Sequence, residues 1–220
     1  MMKWKSWSLI VVIGLLGLFV ACQNIPVDNV PLDTVPIDKE EAEPMSESEP
    51  TVVEPEPDAA LAPLPERSGP RVQTTGSVPH VQILVQAVPE VNDELYRRAF
   101  SLPDVENRPT IVSLPGADGM WLSDGAPVVR PKVIVNGREF AHIHPDGSLH
   151  APLPYERALE AAEKGWAERH PWADQRDGWE GFVMLFTPQS MEELDVTFQL
   201  IVESYNHVTG RTVQVSDFSN

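Results

Sequence analysis

The sequence predicts an α+β domain, in which an antiparallel sheet packs on two or three helices, preceded by a disordered tether rich in proline and glutamate. Three observations predict this class. Short β-branched runs alternate with turn-forming Gly and Pro residues, later segments have helical composition with clear start and stop residues, and proline and acidic residues crowd the N-terminal third. Strands joined by tight turns pair antiparallel, and helices then cover one face of the sheet.

Residues 1–21 have the pattern of a bacterial signal peptide. Lys3 and Lys5 form a positive start, and the apolar run Leu9–Val20 leads to a small residue directly before Cys22. This run is shorter than the roughly 20 residues that a bilayer span needs. The pattern resembles the lipobox of bacterial lipoproteins, in which the cysteine is lipidated. We therefore expect the membrane to be a partner of this chain, through lipidated Cys22.

The single cysteine limits which disulfides the chain can form, and the residue after it indicates where the protein is sorted. Because Cys22 has no second cysteine to pair with, the exported domain has no internal disulfide and its core alone must hold it together. Gln23, not Asp, follows the cysteine. By resemblance to Gram-negative sorting rules, this predicts the bacterial cell envelope, on the periplasmic face of the outer membrane in a host that has one.

We predict that residues 22–77 form the tether. Ten prolines occur between positions 23 and 70, and twelve acidic residues face a single Lys39 between positions 23 and 66. Proline fixes φ and removes a backbone donor, while like charges repel, so an extended and unfolded spacer is expected. The net charge of −17 repels phosphate and no basic cluster interrupts it. Nucleic acid is therefore not an expected partner.

The ordered domain is predicted at residues 78–220. The run VPHVQILVQAV from Val78 has the alternation and β-branching of a strand, and a helix is expected at about Asn92–Phe100. Turn-forming Pro-Gly and Asp-Gly pairs then separate two short predicted strands, around Thr110–Leu114 and Met120–Leu122.

In the second half of the domain, the predicted strands and helices have the clearest start and stop residues. Residues 131–153 predict three strands, with Asn136-Gly137 as a tight hairpin turn. A helix is expected from Pro154 to a stop at Gly165. The run GFVMLFTP predicts a buried strand, and a long amphipathic helix follows from Ser190, with an acidic residue three positions later as in a capping box and a glycine at its end.

Three of the six histidines lie in the segment EFAHIHPDGSLH. His142 and His144 are two residues apart on a predicted strand, so their side chains share one face. If Pro145–Gly147 forms a three-residue loop, His150 lies opposite His142 on that same face, whereas a two-residue Asp-Gly loop would turn it away. We favour the longer loop because proline fits the first central position of a type I turn.

Three interpretations of this cluster remain open at the level of spacing. His142, His144 and His150 can bind a transition metal through neutral imidazole. They can also act as acid and base catalysts, because an imidazole with a pKa near 6.5 is mostly neutral at pH 7. They can finally be hydrogen-bonded sheet residues without chemistry.

Several separated motifs in one order resemble the luciferase-like domain shared by fungal luciferases and many bacterial proteins. The resemblance covers Arg138 to Gly210. Its matching elements are Ala141-His142-x-His144, Ser148-Leu149-His150, Lys164-Gly165-Trp166, Arg169-His170-Pro171, and an aromatic-x-Pro before an acidic helix.

The resemblance implies an oxygenase that joins O2 to a small enolisable phenolic or pyrone-like compound. Such an oxygenase would need either no cofactor beyond O2 or a transition metal bound by the histidine cluster. Implied catalytic residues are His142, His144 and His150 as candidate bases, with Arg169 and His170 as cations that hold an enolate or peroxide. Trp166, Tyr155 and Trp172 are expected to line a pocket for a small aromatic ligand.

The same residues also fit a function of a different class. A non-enzymatic envelope lipoprotein could capture a metal ion or an aromatic ligand at the membrane surface without turnover. An enzyme consumes O2 with an enolisable substrate, whereas a binding protein holds its ligand and forms no product.

Overall fold

The computed structural model describes residues 61–218 of the chain. The predicted signal peptide, Cys22 and the predicted tether up to residue 60 lie outside the described residues, as do residues 219 and 220. Among residues 61–218, no helix combines the length and the apolar character needed to cross a bilayer.

The described domain is built on one six-stranded antiparallel sheet. Its strands follow the spatial order β1-β2-β3-β4-β6-β5, so the first four lie side by side in chain order and only the last two exchange places. The bounds are β1 (Val105–Pro109), β2 (Asp118–Leu122), β3 (Glu139–Ile143), β4 (Leu149–Pro152), β5 (Ala167–Arg169) and β6 (Phe182–Leu185). The predicted α+β class with an antiparallel sheet is confirmed.

Three α-helices complete the domain: α1 (Pro89–Ala99), α2 (Tyr155–Glu163) and α3 (Met191–Thr209). The Ser190 hydroxyl accepts a hydrogen bond from the Glu193 N–H, and Gly210 ends α3 with a left-handed φ of +70°. These are the cap residues that the sequence predicts, and they work because each satisfies backbone groups that a helix end leaves unpaired.

The two faces of the sheet have different roles. Along β3 and β4, Ala141, Ile143, Leu149 and Ala151 belong to the hydrophobic core that also contains the buried residues of α1 and α3. The alternating residues, among them His142 and the other hairpin histidines, point to the opposite face because strand side chains alternate. Helices cover the core face, and loops cover the histidine face.

The ordered domain begins earlier than the sequence predicts. We placed residues 61–77 in the disordered tether, but Leu64 is 4% exposed and packs in the core. The Arg67 N–H donates to the Lys164 carbonyl, and the Arg67 guanidinium pairs with Glu193 at 2.8 Å. The prediction is wrong for this stretch because composition does not reveal that Leu64 and Arg67 find partners in α2 and α3.

Three predicted strands are absent from the described residues. The run from Val78 contributes only an isolated bridge between Thr74 and Gln82. Residues 111–113 form bends, and the region of Lys132 forms a short 3-10 helix, Pro131–Val133. Local β-branching favours strands there, but residues 78–80 and 112–114 line the histidine face as loops, and Val133 packs in the core. In their place the sheet gains β1 and β5, whose charged residues carry little strand signal.

Candidate functional site: a five-histidine cavity

The β3–β4 hairpin places three histidines together. His142 pairs directly with His150 across the two strands. The chain turns through Pro145–Gly147, where the glycine has a φ of +83°, and the His144 N–H donates to the Ser148 carbonyl at 2.7 Å. The predicted three-residue loop and its register are therefore confirmed, because only that register sets His150 opposite His142.

Two histidines from distant parts of the chain join this hairpin. His80 lies in the loop before α1, and His170 directly follows β5. The His150 ring is central, with centroid distances of 4.8 to 5.3 Å to the rings of the other four. The sequence predicts His142, His144, His150 and His170, but it does not mark His80, which stands alone in a run interpreted as a strand.

The five imidazoles form one side of a cavity of about 260 Å³. Aromatic and aliphatic side chains form much of the rest of its wall. Trp172 is among them, as the sequence predicts. The wall also contains side chains that the sequence does not indicate, namely Trp179, Phe182, Val112 and Leu114. Binding sites for small molecules commonly combine such apolar walls with a few polar groups. The cavity therefore combines apolar walls with the imidazole nitrogens as its polar groups.

A larger open groove of about 1080 Å³ lies beside α1 and α3. Its charged residues already have partners: Arg98 pairs with Asp195 at 2.7 Å, and Glu203 pairs with Arg157 at 2.8 Å. It holds no group of side chains with the spacing of metal ligands, whereas the histidine cavity holds two. The smaller cavity is therefore the better candidate for chemistry.

Burial favours the neutral form of four of the five cavity imidazoles. Burial, followed by the charges of neighbouring groups, lowers the pKa of His144 to about 4 and that of His170 to about 4. The same causes hold the pKa of His150 well below its ordinary value. Burial also lowers the pKa of His80, although the Glu168 carboxylate counteracts it. At neutral pH each of these rings is therefore mostly neutral, with one N–H and one nitrogen that carries an electron pair.

A buried carboxylate, that of Glu139, contacts the Nδ1 atom of His142. Glu139 is 1% exposed, and its Oε1 lies 3.2 Å from His142 Nδ1. Burial raises the pKa of Glu139, but hydrogen bonds from His142, Thr110 and the Ile111 N–H outweigh this and leave the pKa below its ordinary value. The Glu139 side chain is thus an ionised acceptor that orients the His142 ring.

Two overlapping groups of ring nitrogens have the spacing of metal ligands. One consists of His142, His144 and His150, and the other of His80, His150 and His170; within each group one nitrogen per residue lies within 4.8 Å of the others. The first group is the set that the sequence predicts.

Comparison with known proteins identifies the domain. Residues 137–204 match the family model described as Luciferase domain. Two proteins named Luciferase are similar to the chain, and both are 29% identical to it. The protein from Armillaria mellea aligns over 178 residues, covering 70% of this chain and 65% of its own length, and that from Armillaria gallica over 170 residues, covering 68% and 62%.

This chain carries a luciferase-like domain. It spans slightly less than two thirds of the length of these relatives. No solved structure matches the chain. The stretch that matches the family model contains the three hairpin histidines and His170, whereas His80 lies outside it.

Three of the predicted site residues lie away from the cavity of the luciferase-like domain. Arg169 pairs with Asp174 at 2.5 Å, and its guanidinium covers the Tyr155 ring at 5.4 Å. The Trp166 indole is buried and donates to the Pro65 carbonyl at 2.7 Å. These three residues do not line the cavity, and motif proximity in the sequence does not reveal that their side chains have these other partners.

Proposed function

We propose that this protein is an oxygenase that joins O2 to a small enolisable phenolic or pyrone-like compound in the five-histidine cavity. One observation carries the proposal: five imidazoles face an aromatic-walled cavity within a luciferase-like domain. Neutral imidazoles next to a hydrophobic wall are the groups that proton abstraction from an enol requires.

The proposed reaction needs no oxidant other than O2. An imidazole nitrogen accepts the enol proton, and the resulting enolate carbon gives two electrons to O2 as a carbon–oxygen bond forms. The terminal peroxide oxygen then takes up the proton, so that one substrate and one O2 combine to one hydroperoxide. His142 is the best-supported base, because the Glu139 carboxylate at its Nδ1 stabilises the imidazolium that forms.

The cavity wall supports the binding half of the proposal. Trp172, Trp179 and Phe182 surround His170 with ring-centroid distances of 5.6, 5.7 and 5.4 Å, so a planar ligand would meet aromatic surface next to an imidazole. Apolar walls also exclude water, which strengthens every electrostatic interaction inside the cavity and protects a reactive peroxide.

A second candidate function is ligand binding without turnover. It is favoured by the pKa of about 4 for His144 and His170, which makes these two rings weak bases and suits them to hydrogen bonding with a neutral ligand. An aromatic ligand would then raise the melting temperature of the protein without O2 uptake.

O2 uptake with a panel of substrates separates the two functions. The panel contains hydroxylated styryl-pyrones and substituted phenols, and ¹⁸O2 followed by mass spectrometry shows whether oxygen enters the product. We expect uptake with at least one compound, and loss of uptake in the double variant His142→Ala/His150→Ala. The His207→Ala variant is the matched control, because this sixth histidine does not line the cavity. If the double variant consumes O2 as fast as the wild type, the oxygenase proposal fails.

We further propose that the protein is anchored in the bacterial envelope through lipidated Cys22. The support is the sequence pattern around this residue, which lies outside the described residues. Mass spectrometry of the mature N-terminus tests it. A diacylglyceryl mass on Cys22, and its absence together with loss of membrane association in Cys22→Ser, is the expected result; an unmodified cysteine in membrane-free protein contradicts it.

A further inference from the structure

The hydrogen-bond partners of the histidines decide which ring nitrogens carry protons. A neutral imidazole has one N–H donor and one nitrogen with a free electron pair. When the partner of one nitrogen can act only as an acceptor, that nitrogen must carry the proton, and the other nitrogen is left unprotonated. The cavity histidines can be assigned in this way from their outer partners.

In both His142 and His144 the proton lies on Nδ1, the nitrogen that faces a hydrogen-bond partner outside the cluster. His142 Nδ1 faces the Glu139 carboxylate at 3.2 Å, so Nδ1 donates, and in the neutral ring Nε2 is then the unprotonated nitrogen. His144 Nδ1 lies 3.0 Å from the Ser148 hydroxyl, which donates its own proton to Asp146 at 2.7 Å. Ser148 must therefore accept from His144, which leaves His144 Nε2 unprotonated as well.

His150 is assigned through His80. His80 Nε2 donates to the Glu168 carboxylate at 3.3 Å, so His80 Nδ1 is an acceptor. It lies 3.1 Å from His150 Nε2, which must be the donor, and His150 Nδ1 is then unprotonated. This nitrogen lies 3.0 Å from the unprotonated Nε2 of His142. Two electron pairs at this distance repel each other unless a cation lies between them.

We propose that His142 Nε2, His144 Nε2 and His150 Nδ1 bind one divalent transition-metal ion. The three residues form one of the two groups with nitrogens within 4.8 Å. Tetrahedral coordination at 2.0 to 2.1 Å would set ligand nitrogens about 3.3 Å apart, a few tenths of an ångström more than the spacing of His142 and His150.

The outer partners of the three ligands support this assignment. Histidines that bind metals usually donate their second ring N–H to a carboxylate, carbonyl or water, which fixes the ring orientation. Here the Glu139 carboxylate accepts from His142 Nδ1. The Ser148 hydroxyl, itself bonded to Asp146, accepts from His144 Nδ1. His80 Nδ1 accepts from His150 Nε2. Three protein ligands also leave a fourth position for water or substrate, as in catalytic zinc sites.

His170 is not a ligand of this site. Its Nδ1 accepts a hydrogen bond from the Trp172 N–H at 3.1 Å, so the neutral ring carries its proton on Nε2. The alternative group of His80, His150 and His170 therefore lacks a free electron pair at one of its members. His170 becomes a matched control, since it lines the same cavity as the three ligands.

The metal site rests on hydrogen-bond geometry and stands independently of the oxygenase proposal. A donor set of three neutral imidazoles suits zinc, iron, copper or nickel. If the oxygenase proposal also holds, His142, His144 and His150 would hold the ion, which would stabilise the enolate as a Lewis acid, and the enol proton would pass to a group other than these three ligands.

Metal content and metal titration of the full chain test the site. The protein is purified in detergent without a histidine tag, analysed for transition metals, then stripped with a chelator and titrated with Zn²⁺ by calorimetry and with Co²⁺ by absorption. We expect one equivalent per chain. His144→Ala should weaken binding by more than about 100-fold, and Ser148→Ala by about tenfold, the range found for outer partners. His170→Ala should bind as the wild type does.

Two results would overturn the proposal. Wild-type protein that neither contains a metal nor binds Zn²⁺ would mean that a proton, not a metal, lies between His142 and His150. Loss of binding in His170→Ala equal to that in His144→Ala would assign the metal to the other group. Should His144→Ala fail to fold, the comparison of Ser148→Ala with His170→Ala still decides. Because no substrate is needed, failure of the oxygenase proposal leaves this result unaffected.

Discussion

Acidification should destabilise the folded domain through its buried histidines. His144 is 2% exposed and its pKa is about 4 in the folded protein, against the ordinary histidine pKa of 6.5 in the unfolded chain. Between these two values the unfolded chain binds a proton at this position and the folded chain does not. The free energy of unfolding therefore falls as the pH falls from 6.5 towards 4, and the loss is complete below pH 4.

The size of the effect follows from the two pKa values. Between pH 7 and pH 5, His144 alone should remove about 2 kcal/mol from the free energy of unfolding, since each pKa unit corresponds to about 1.4 kcal/mol. His170 acts in the same direction but contributes less, because it is only partly buried and solvent screens it. Glu139 has a lowered pKa, so its contribution to the free energy of unfolding is lost in a lower pH window, below the ordinary glutamate pKa of 4.5.

Urea unfolding at pH 7, 6 and 5 measures this loss. A chelator is present throughout, so that release of a bound metal at low pH does not add to the effect. His144→Gln is the matched variant, because glutamine keeps a polar side chain of similar reach but does not titrate. We expect the variant to lose about 2 kcal/mol less than the wild type between pH 7 and pH 5. Equal losses in the two proteins would refute the assigned burial of His144.

Two further predictions concern the scaffold. A Cβ at Gly181 would lie 1.9 Å from the Leu153 carbonyl oxygen, so Gly181→Ala should lower the free energy of unfolding by about 3 kcal/mol, whereas Gly125→Ala, which meets nothing within 4 Å, should change it by less than about 0.5 kcal/mol. Equal effects in urea unfolding would contradict this. Ser190→Ala removes the hydroxyl that caps the Glu193 N–H and should cost about 1 kcal/mol by the same assay; an unchanged midpoint would show that the cap contributes nothing.

Local rules predicted the histidine hairpin well. The period of two along a strand put His142 and His144 on one face, and the conformational preferences of Pro145 and Gly147 set the loop length. Loop length fixes register in a hairpin, so the position of His150 followed from three consecutive residues. Helix α3 was predictable for the same reason, because its cap residues act within four positions of each other.

Long-range contacts were not predictable. His80 is 70 residues from its partner His150, and nothing in its neighbours distinguishes it from a strand residue. Arg67 likewise meets Glu193 across 126 positions. Hydrophobic periodicity reports which face is buried, and it does not report which distant loop covers that face. Most of the site that the sequence missed, His80 above all, is contributed by covering loops, although Phe182 lies in β6.

The loop Pro145–Gly147 connects the stability of the fold to the chemistry of the site. Its glycine is confined, because a Cβ there would lie 2.9 Å from Asn92 Oδ1 and 3.1 Å from Thr187 Cγ2. A shift of the hairpin by one residue would exchange the core residues of β3 for its histidines, since the two sets alternate along the strand. The packing of the loop against its neighbours therefore specifies the register that sets His150 opposite His142, and the same contacts that bury Ile143 in the core turn the histidines towards the cavity.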